Sequence, residues 1–218
     1  RYVKFLLIAL ILLPAATVGQ MTMAYDNDFL TYNRGLELFH KQQFGPAKAQ
    51  FEAAISTVKN EHSEVSANAH FYVAACALEL FHKDAEYLLK KFVRDYSTSP
   101  RVTEAWFMLG SYNYRKKDWE DAIDYFDEIQ ASDLAEQGRS EYLFKKGYSY
   151  FQEERYDEAA DQFFQMKNQF SVYYAPGVYY FAHINYEQGN YATALKSFKS
   201  LEGHPQFGEV IPYYIVQI

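Results

Sequence analysis

One cysteine, few glycines, few prolines and a deficit of basic residues narrow this chain before any pattern is sought. Cys76 stands alone in 218 residues, so neither an intramolecular disulfide nor a CxxC-type zinc or redox site can form, and stability must come from packing. It lies in the small-residue run Ala74-Ala75-Cys76-Ala77 and reads as a small buried hydrophobe. Gly (10) and Pro (6) are too scarce for a turn-rich β fold and favour long helices with short connections. Lys and Arg (21) are outnumbered by Asp and Glu (28), for a formal charge of -7, and cluster no further than pairs such as Lys90-Lys91 and Lys145-Lys146. Phosphate binding needs a basic face, so this balance argues against nucleic acid.

The patterns that carry chemistry are missing as well. No two of the six His sit at i, i+4 around a Glu as in a helical zinc protease, and His62, Glu64 and His70 read as exposed helix and loop residues. Glycines occur singly, with no phosphate cradle and no GxSxG elbow. No catalytic residue, metal ligand, cofactor or small-molecule substrate is therefore expected.

What is present is apolar and aromatic: 49% hydrophobic residues, with 21 Tyr and 18 Phe. The front of the chain is a separate matter. Arg1 and Lys4 precede the apolar run Phe5 to Leu13, then Pro14 and the small residues Ala15, Ala16, Thr17 and Gly19. That order is the n-region, h-region and cleavage region of a secretory signal over 1–19, cut near Gly19 and Gln20. The run is too short to span a bilayer comfortably, and no Cys follows to accept a lipid. Because the chain opens with Arg and stops at Ile218 in mid-pattern, it is read as the N-terminal portion of a longer product.

Behind a short segment over 20–27, one unit recurs. Phe44-Gly45-Pro46-Ala47-Lys48-Ala49-Gln50-Phe51 aligns with Trp119 to Phe126, Tyr156 to Phe163 and Tyr191 to Phe198: an aromatic, Ala three residues on, Phe four further. A small residue sits upstream of each, at Gly35, Gly110, Gly147 and Ala182, and a more degenerate copy carries Ala75, Ala85 and Leu89. Ala47, Ala85, Ala122, Ala159 and Ala194 recur at the period of helix-turn-helix solenoids, roughly 35 to 38 residues. The pattern predicts helices near 27–42, 46–60, 64–80, 84–96, 101–115, 119–130, 137–152, 156–169, 174–187 and 191–201.

This pattern resembles the tetratricopeptide repeat family, best matched by Trp106, Leu109, Gly110, Trp119, Ala122 and Phe126. The resemblance covers residues 28–203, with 204–218 reading as the start of a further, truncated repeat. It implies an all-α fold, a right-handed superhelix of about five helix-turn-helix repeats plus the truncated sixth, in which Gly or Ala of each first helix admits the Ala and Phe of the second.

The resemblance also implies that first helices line a concave face. There the copies carry Tyr32, Tyr72, Phe107, Phe144 and Tyr179, then seven residues on Phe39, Glu79, Tyr114, Phe151 and Tyr186, with Leu36, Cys76, Ser111, Tyr148 and His183 between. Two readings follow: an aromatic ladder that takes a peptide or protein partner, or rings that seal one repeat against the next. The family's carboxylate clamp would draw on Asn33, Arg34, Asn113, Arg115, Lys145 and Lys146, which do not recur in register. Acidic residues gather instead on the second helices, as Glu120, Asp121, Asp124, Asp127, Glu128, Asp157, Glu158 and Asp161, a solvated outer face.

Export plus repeats leads to a non-catalytic protein-binding scaffold of the periplasm or cell envelope, in peripheral association with envelope membrane complexes. The alternatives are the sensory ectodomain of a longer membrane receptor and a repeat domain attached to a catalytic domain beyond Ile218.

Overall fold

The computed structural model describes residues 27–61, 63–166 and 171–218. The expected targeting segment 1–19, the residues up to 26 and His62 lie outside them. Every regular element among the described residues is helical: α1 (Asn27–His40), α2 (Phe44–Thr57), α3 (Glu64–Glu79), α4 (Ala85–Asp95), α5 (Val102–Lys116), α6 (Trp119–Asp127), α7 (Glu136–Gln152), α8 (Tyr156–Gln165), α9 (Tyr174–Glu187), α10 (Tyr191–Ser200) and α11 (Ile211–Gln217), with one 3-10 turn at Ala131–Asp133. None of these helices is long and apolar enough to cross a membrane.

Helices pack on their chain neighbours in the pairs α1–α2, α3–α4, α5–α6, α7–α8 and α9–α10, and each pair packs on the next. The wedge that closes a pair is the side chain the repeat pattern singled out. Ala47, Ala85, Ala122, Ala159 and Ala194 are fully buried, and so are Phe51, Leu89, Phe126 and Phe198, with Phe163 at 1% exposure. The Phe ring lies directly on the small residue of the first helix. A Cβ built on Gly110 would stand 2.5 Å from Phe126 Cε1, one on Gly35 2.7 Å from Phe51 Cε1, and one on Gly147 2.9 Å from Phe163 Cε1. These approaches leave no room for a methyl group, so the glycines set the interhelix distance.

The turn inside each pair repeats as closely as the core does. Gln42 (φ 58), Phe81 (φ 56), Lys117 (φ 65), Glu154 (φ 59) and Gly189 (φ 77) all hold the left-handed conformation just after a first helix. Each closes the same pair of bonds: at the third pair, Lys117 N–H to Tyr114 O (3.1 Å) and Asp118 N–H to Asn113 O (3.0 Å). This end cap satisfies carbonyls that the helix leaves orphaned. It also explains why α1, expected to reach 42, ends at His40, whereas α7 and α9 end at the expected Gln152 and Glu187.

The second helices end early for another reason. Expected to run to 130, α6 stops at Asp127 because α7 supplies a competing partner: the Tyr142 hydroxyl lies 3.1 Å from Phe126 O and 3.0 Å from Ile129 O. The same corner holds Lys146, whose ammonium donates to Asp127 Oδ1 (2.8 Å) and to the Tyr142 hydroxyl (3.0 Å). Burial acts to lower its pKa, but the bonds it donates to Asp127 and Tyr142 outweigh it and hold Lys146 charged above the usual lysine range. A comparable staple joins α3 to α5: the Arg101 guanidinium lies 4.9 Å from the Phe71 ring centre and 4.7 Å from that of Tyr72, donating to the Tyr72 hydroxyl at 2.9 Å.

Adding one methyl group at the tightest contact is expected to destabilise the array. Gly110→Ala should lose about 1–3 kcal/mol in urea melts and Gly147→Ala less, in the order of the two approach distances; equal stability of either with the parent would put the wedge elsewhere. The turns respond the other way. Lys117→Gly should gain about 0.5–1 kcal/mol by relieving the left-handed backbone, and Gly189→Ala should lose a similar amount, a pure backbone test because a Cβ there meets nothing within 4 Å.

Candidate functional site: an aromatic strip on the first helices

First helices touch their counterparts in the neighbouring pairs, α1 with α3, α3 with α5, α5 with α7 and α7 with α9, whereas no comparable contact joins the second helices among the described residues. An array built this way curves with its first helices inside. The acidic residues of α6 and α8 face out: Glu120, Asp121, Asp124, Asp127, Asp157 and Asp161 are exposed and Glu158 is half-buried.

The aromatics of the first helices separate into two groups. At the N-terminal end Tyr32 and Tyr72 are buried, each 8% exposed. Tyr72 stacks on Phe51 at 4.9 Å and 12°, and Phe39 meets Tyr72 at 5.0 Å. These rings seal α3 onto the α1–α2 pair. Glu79 is exposed and Cys76 fully buried, its thiol pushed up to about 12 by burial. No ring contact links Tyr72 to Phe107 among the described residues, so the ladder breaks at the second pair.

From Phe107 onward the rings are half-buried; the Lys145 ammonium bridges Phe107 and Tyr114, 5.5 Å and 5.8 Å from their ring centres, and from Tyr114 the rings meet one another directly. Tyr114 meets Tyr148 at 5.8 Å, and Tyr148 meets Phe144 at 6.0 Å and Phe151 at 6.4 Å. Phe151 lies 6.1 Å from His183, which stacks on Tyr179 at 6.2 Å and 3°. Tyr214 of α11 lies 5.9 Å from His183 and 5.4 Å from Tyr186, closing the strip. The first row of rings also leans on the core below: Phe107 on Phe126 at 6.3 Å, Phe144 on Phe163 at 6.0 Å and Tyr179 on Phe198 at 6.3 Å.

Four members of this strip were not anticipated. Tyr180 meets Tyr148 at 5.2 Å and Phe151 at 5.0 Å, Trp119 meets Tyr148 at 5.6 Å, and Tyr156 meets Phe151 at 5.6 Å. Tyr214 is the fourth. Trp119 and Tyr156 were visible as the aromatic that opens each second helix, a position whose ring reaches back over the turn to the first helix of its own pair. Tyr180 needed the fine register of α9, which the Tyr179 row missed by one residue.

Of the polar residues considered for a carboxylate clamp, Asn33 and Arg115 are exposed, while Arg34, Asn113, Lys145 and Lys146 are engaged within the fold. Asn113 is fully buried and donates to Leu109 O at 3.0 Å; Arg34 pairs with Glu37 at 2.5 Å. Lys145 bonds Ser111 Oγ at 3.0 Å, pairs with Glu141, and carries its ammonium 5.5 Å from the Phe107 ring centre. His70 Nδ1 lies 3.0 Å from Ser66 O and 3.1 Å from the Tyr96 hydroxyl, in a polar cavity of about 550 Å³ between α2, α3 and α4. No group of three or more His, Cys, Asp or Glu that could hold a metal ion occurs among the described residues.

Residues 82–137, which span α4 to the start of α7 and contain the best-formed copy, match the tetratricopeptide repeat model. The array has the fold of a tetratricopeptide-repeat solenoid. Solved structures of that fold align along most of the chain. MamA (AMB-1) is 13% identical over 86% of this chain and 97% of its own, with a TM-score of 0.64. The C-terminal part of a TPR repeat-containing protein from Cytophaga hutchinsonii is 16% identical over 82% and 67%, with a TM-score of 0.63. TPR-like repeats of a Podosopora anserina kinesin light chain are 12% identical over 78% and 90%, at 0.57. No curated protein matches the sequence.

Burial makes the strip titrate late. Tyr114 and Tyr180 are pushed up to about 12 by desolvation first and by neighbouring Tyr148 second, from an ordinary value of 10.0. The folded solenoid then keeps protons that the unfolded chain releases. The stability this supplies is complete below pH 10.0 and falls as pH rises from there toward about 12. In an alkaline absorbance titration the last tyrosines should ionise together with loss of far-ultraviolet helicity; a single step near 10 with helicity intact would mean solvated rings.

Proposed function

We propose that this solenoid is a non-catalytic scaffold that captures a protein or peptide partner along the strip from Phe107 to Tyr186, after export to the periplasm or cell envelope. The observation that carries the reading is the continuity of half-buried rings on the inner face. Tyr32 and Tyr72, which seal the first pairs, are buried; the later rings keep a face in water, where an apolar or aromatic segment gains by covering them. Export is supported by the order of charges, apolar run and small residues over 1–19. The array over 28–203 would carry recognition, in peripheral association with envelope complexes, and residues 204–218 would open a further repeat through α11, whose Tyr214 stacks on Phe198 at 4.6 Å as Tyr72 stacks on Phe51.

Capture from envelope extracts tests the strip. Residues 20–218 should retain a protein that a Tyr148→Ala, Phe151→Ala bait loses at least tenfold while its helicity survives, and Trp119 emission should shift when the purified partner is added. Identical retention by both folded baits would return the rings to packing. Export is checked separately: residues 1–26 fused to alkaline phosphatase, which needs the disulfides of an oxidising compartment, should give activity that Leu10→Arg abolishes, and an inactive parent fusion would remove the envelope from the reading.

A further inference from the structure

Beside the strip, at the turn end of the last pairs, lies a cavity of about 340 Å³ lined by Phe151, Tyr156, His183, Ile184, Glu187 and Gln188. Its walls and its rim differ in kind. Phe151 and Tyr156 meet edge to face at 5.6 Å and 66°, His183 lies 6.1 Å from Phe151, and buried Ile184 forms the floor. Ring faces set around a cup attract a cation through their quadrupoles.

The lining carries one carboxylate, that of Glu187, which is exposed, and the exposed carboxylate of Asp157 is bonded by the lining residue Gln188. Gln188 Nε2 donates to Asp157 Oδ1 at 2.8 Å and so ties the end of α9 to the start of α8, fixing one side of the mouth. The nearest cation in sequence is outside the lining and engaged elsewhere: Arg155 lies 4.5 Å from the Tyr150 ring centre and pairs with Glu158 at 2.8 Å.

We propose that this cup takes an arginine or lysine side chain of the partner, its cationic head against Phe151, Tyr156 and His183 and its charge matched by Glu187. The inference rests on the strip being a recognition surface and names one feature of what it recognises: a partner segment with apolar or aromatic residues along Tyr114, Tyr148 and Tyr180 and one basic residue at the end near α9. The site differs from a carboxylate clamp in polarity, since it would bind the partner's positive charge rather than its terminal anion. A chain of net charge -7 favours the same partner at long range.

The test uses the isotope-labelled protein and single amino-acid derivatives, so its result does not depend on any partner having been found. N-acetyl-arginine amide should shift the backbone amides of Tyr156, Ile184 and Gln188 with a Kd on the order of 1 mM, while the neutral isostere N-acetyl-citrulline amide should leave them in place. Glu187→Gln should weaken the arginine response about fivefold and Tyr156→Ala should remove it, both at exposed positions with the helical spectrum unchanged. Equal shifts with citrulline, a Glu187→Gln response equal to the parent's, or arginine shifts confined to other residues would overturn the proposal. If the derivative fails to bind while strip variants still lose a captured protein, the cup is wrong and the strip stands; if the derivative binds and no partner depends on the strip, the converse holds.

Discussion

The contact between a phenylalanine ring and the small residue of the helix before it decides the rest of this solenoid. With a Cβ distance of 2.5 Å at Gly110 and 2.9 Å at Gly147, the helices of those pairs approach as closely as backbone and ring allow. The ring then fills the space that a larger residue would need, and no void is left for water. That approach brings the carbonyls ending each first helix under the start of the second, so the turn must reverse in a few residues. A left-handed residue is the way to do so. Gln42, Phe81, Lys117 and Glu154 adopt it without being glycine, which places the constraint in the packing rather than in the turn.

The second pair shows what happens when the wedge is replaced. Leu89 stands where the others have Phe, and its first helix carries the small run Ala74 to Cys76, all nearly or fully buried. A smaller wedge against several small residues preserves the total volume and keeps the pair close. The cost falls on the inner face: with small residues along it and Glu79 exposed, α3 has no ring after Tyr72 to hand on. The break in the aromatic ladder is thus a packing consequence, and it confines the open strip to the later pairs.

Most of the architecture was legible because it rests on residues that repeat. The spacing of aromatic, Ala and Phe placed all ten paired helices, and the alternation of Gly35, Gly110, Gly147 and Ala182 with Phe51, Phe126, Phe163 and Phe198 named the contacts that close them. Helix ends were less legible: they depend on partners distant in sequence, as where Tyr142 reaches Phe126 O and Ile129 O. Rows counted from the small residue found Tyr114, Tyr148, Phe151 and His183 but not Tyr180, Trp119, Tyr156 or Tyr214. A row follows one face of one helix, whereas the strip is assembled from the first helix, the opening residue of the second, and the next pair.

The same geometry explains why sealing and recognition are hard to separate on this surface. A ring at the inner edge of a first helix has one face on the core Phe of its own pair, as Phe144 has on Phe163 at 6.0 Å, and an edge toward the next pair, as Phe144 has toward Tyr180 at 6.3 Å. Only the remaining face is available to a partner. Truncating such a ring removes core contacts and partner contacts together, and a loss of binding alone cannot assign it. Two residues of the cup escape this coupling: Tyr156 and Glu187 are exposed and can change with little effect on the core. A defect confined to those positions would report recognition directly, which makes the cup beside the strip, rather than the strip's centre, the place where the two roles can be told apart.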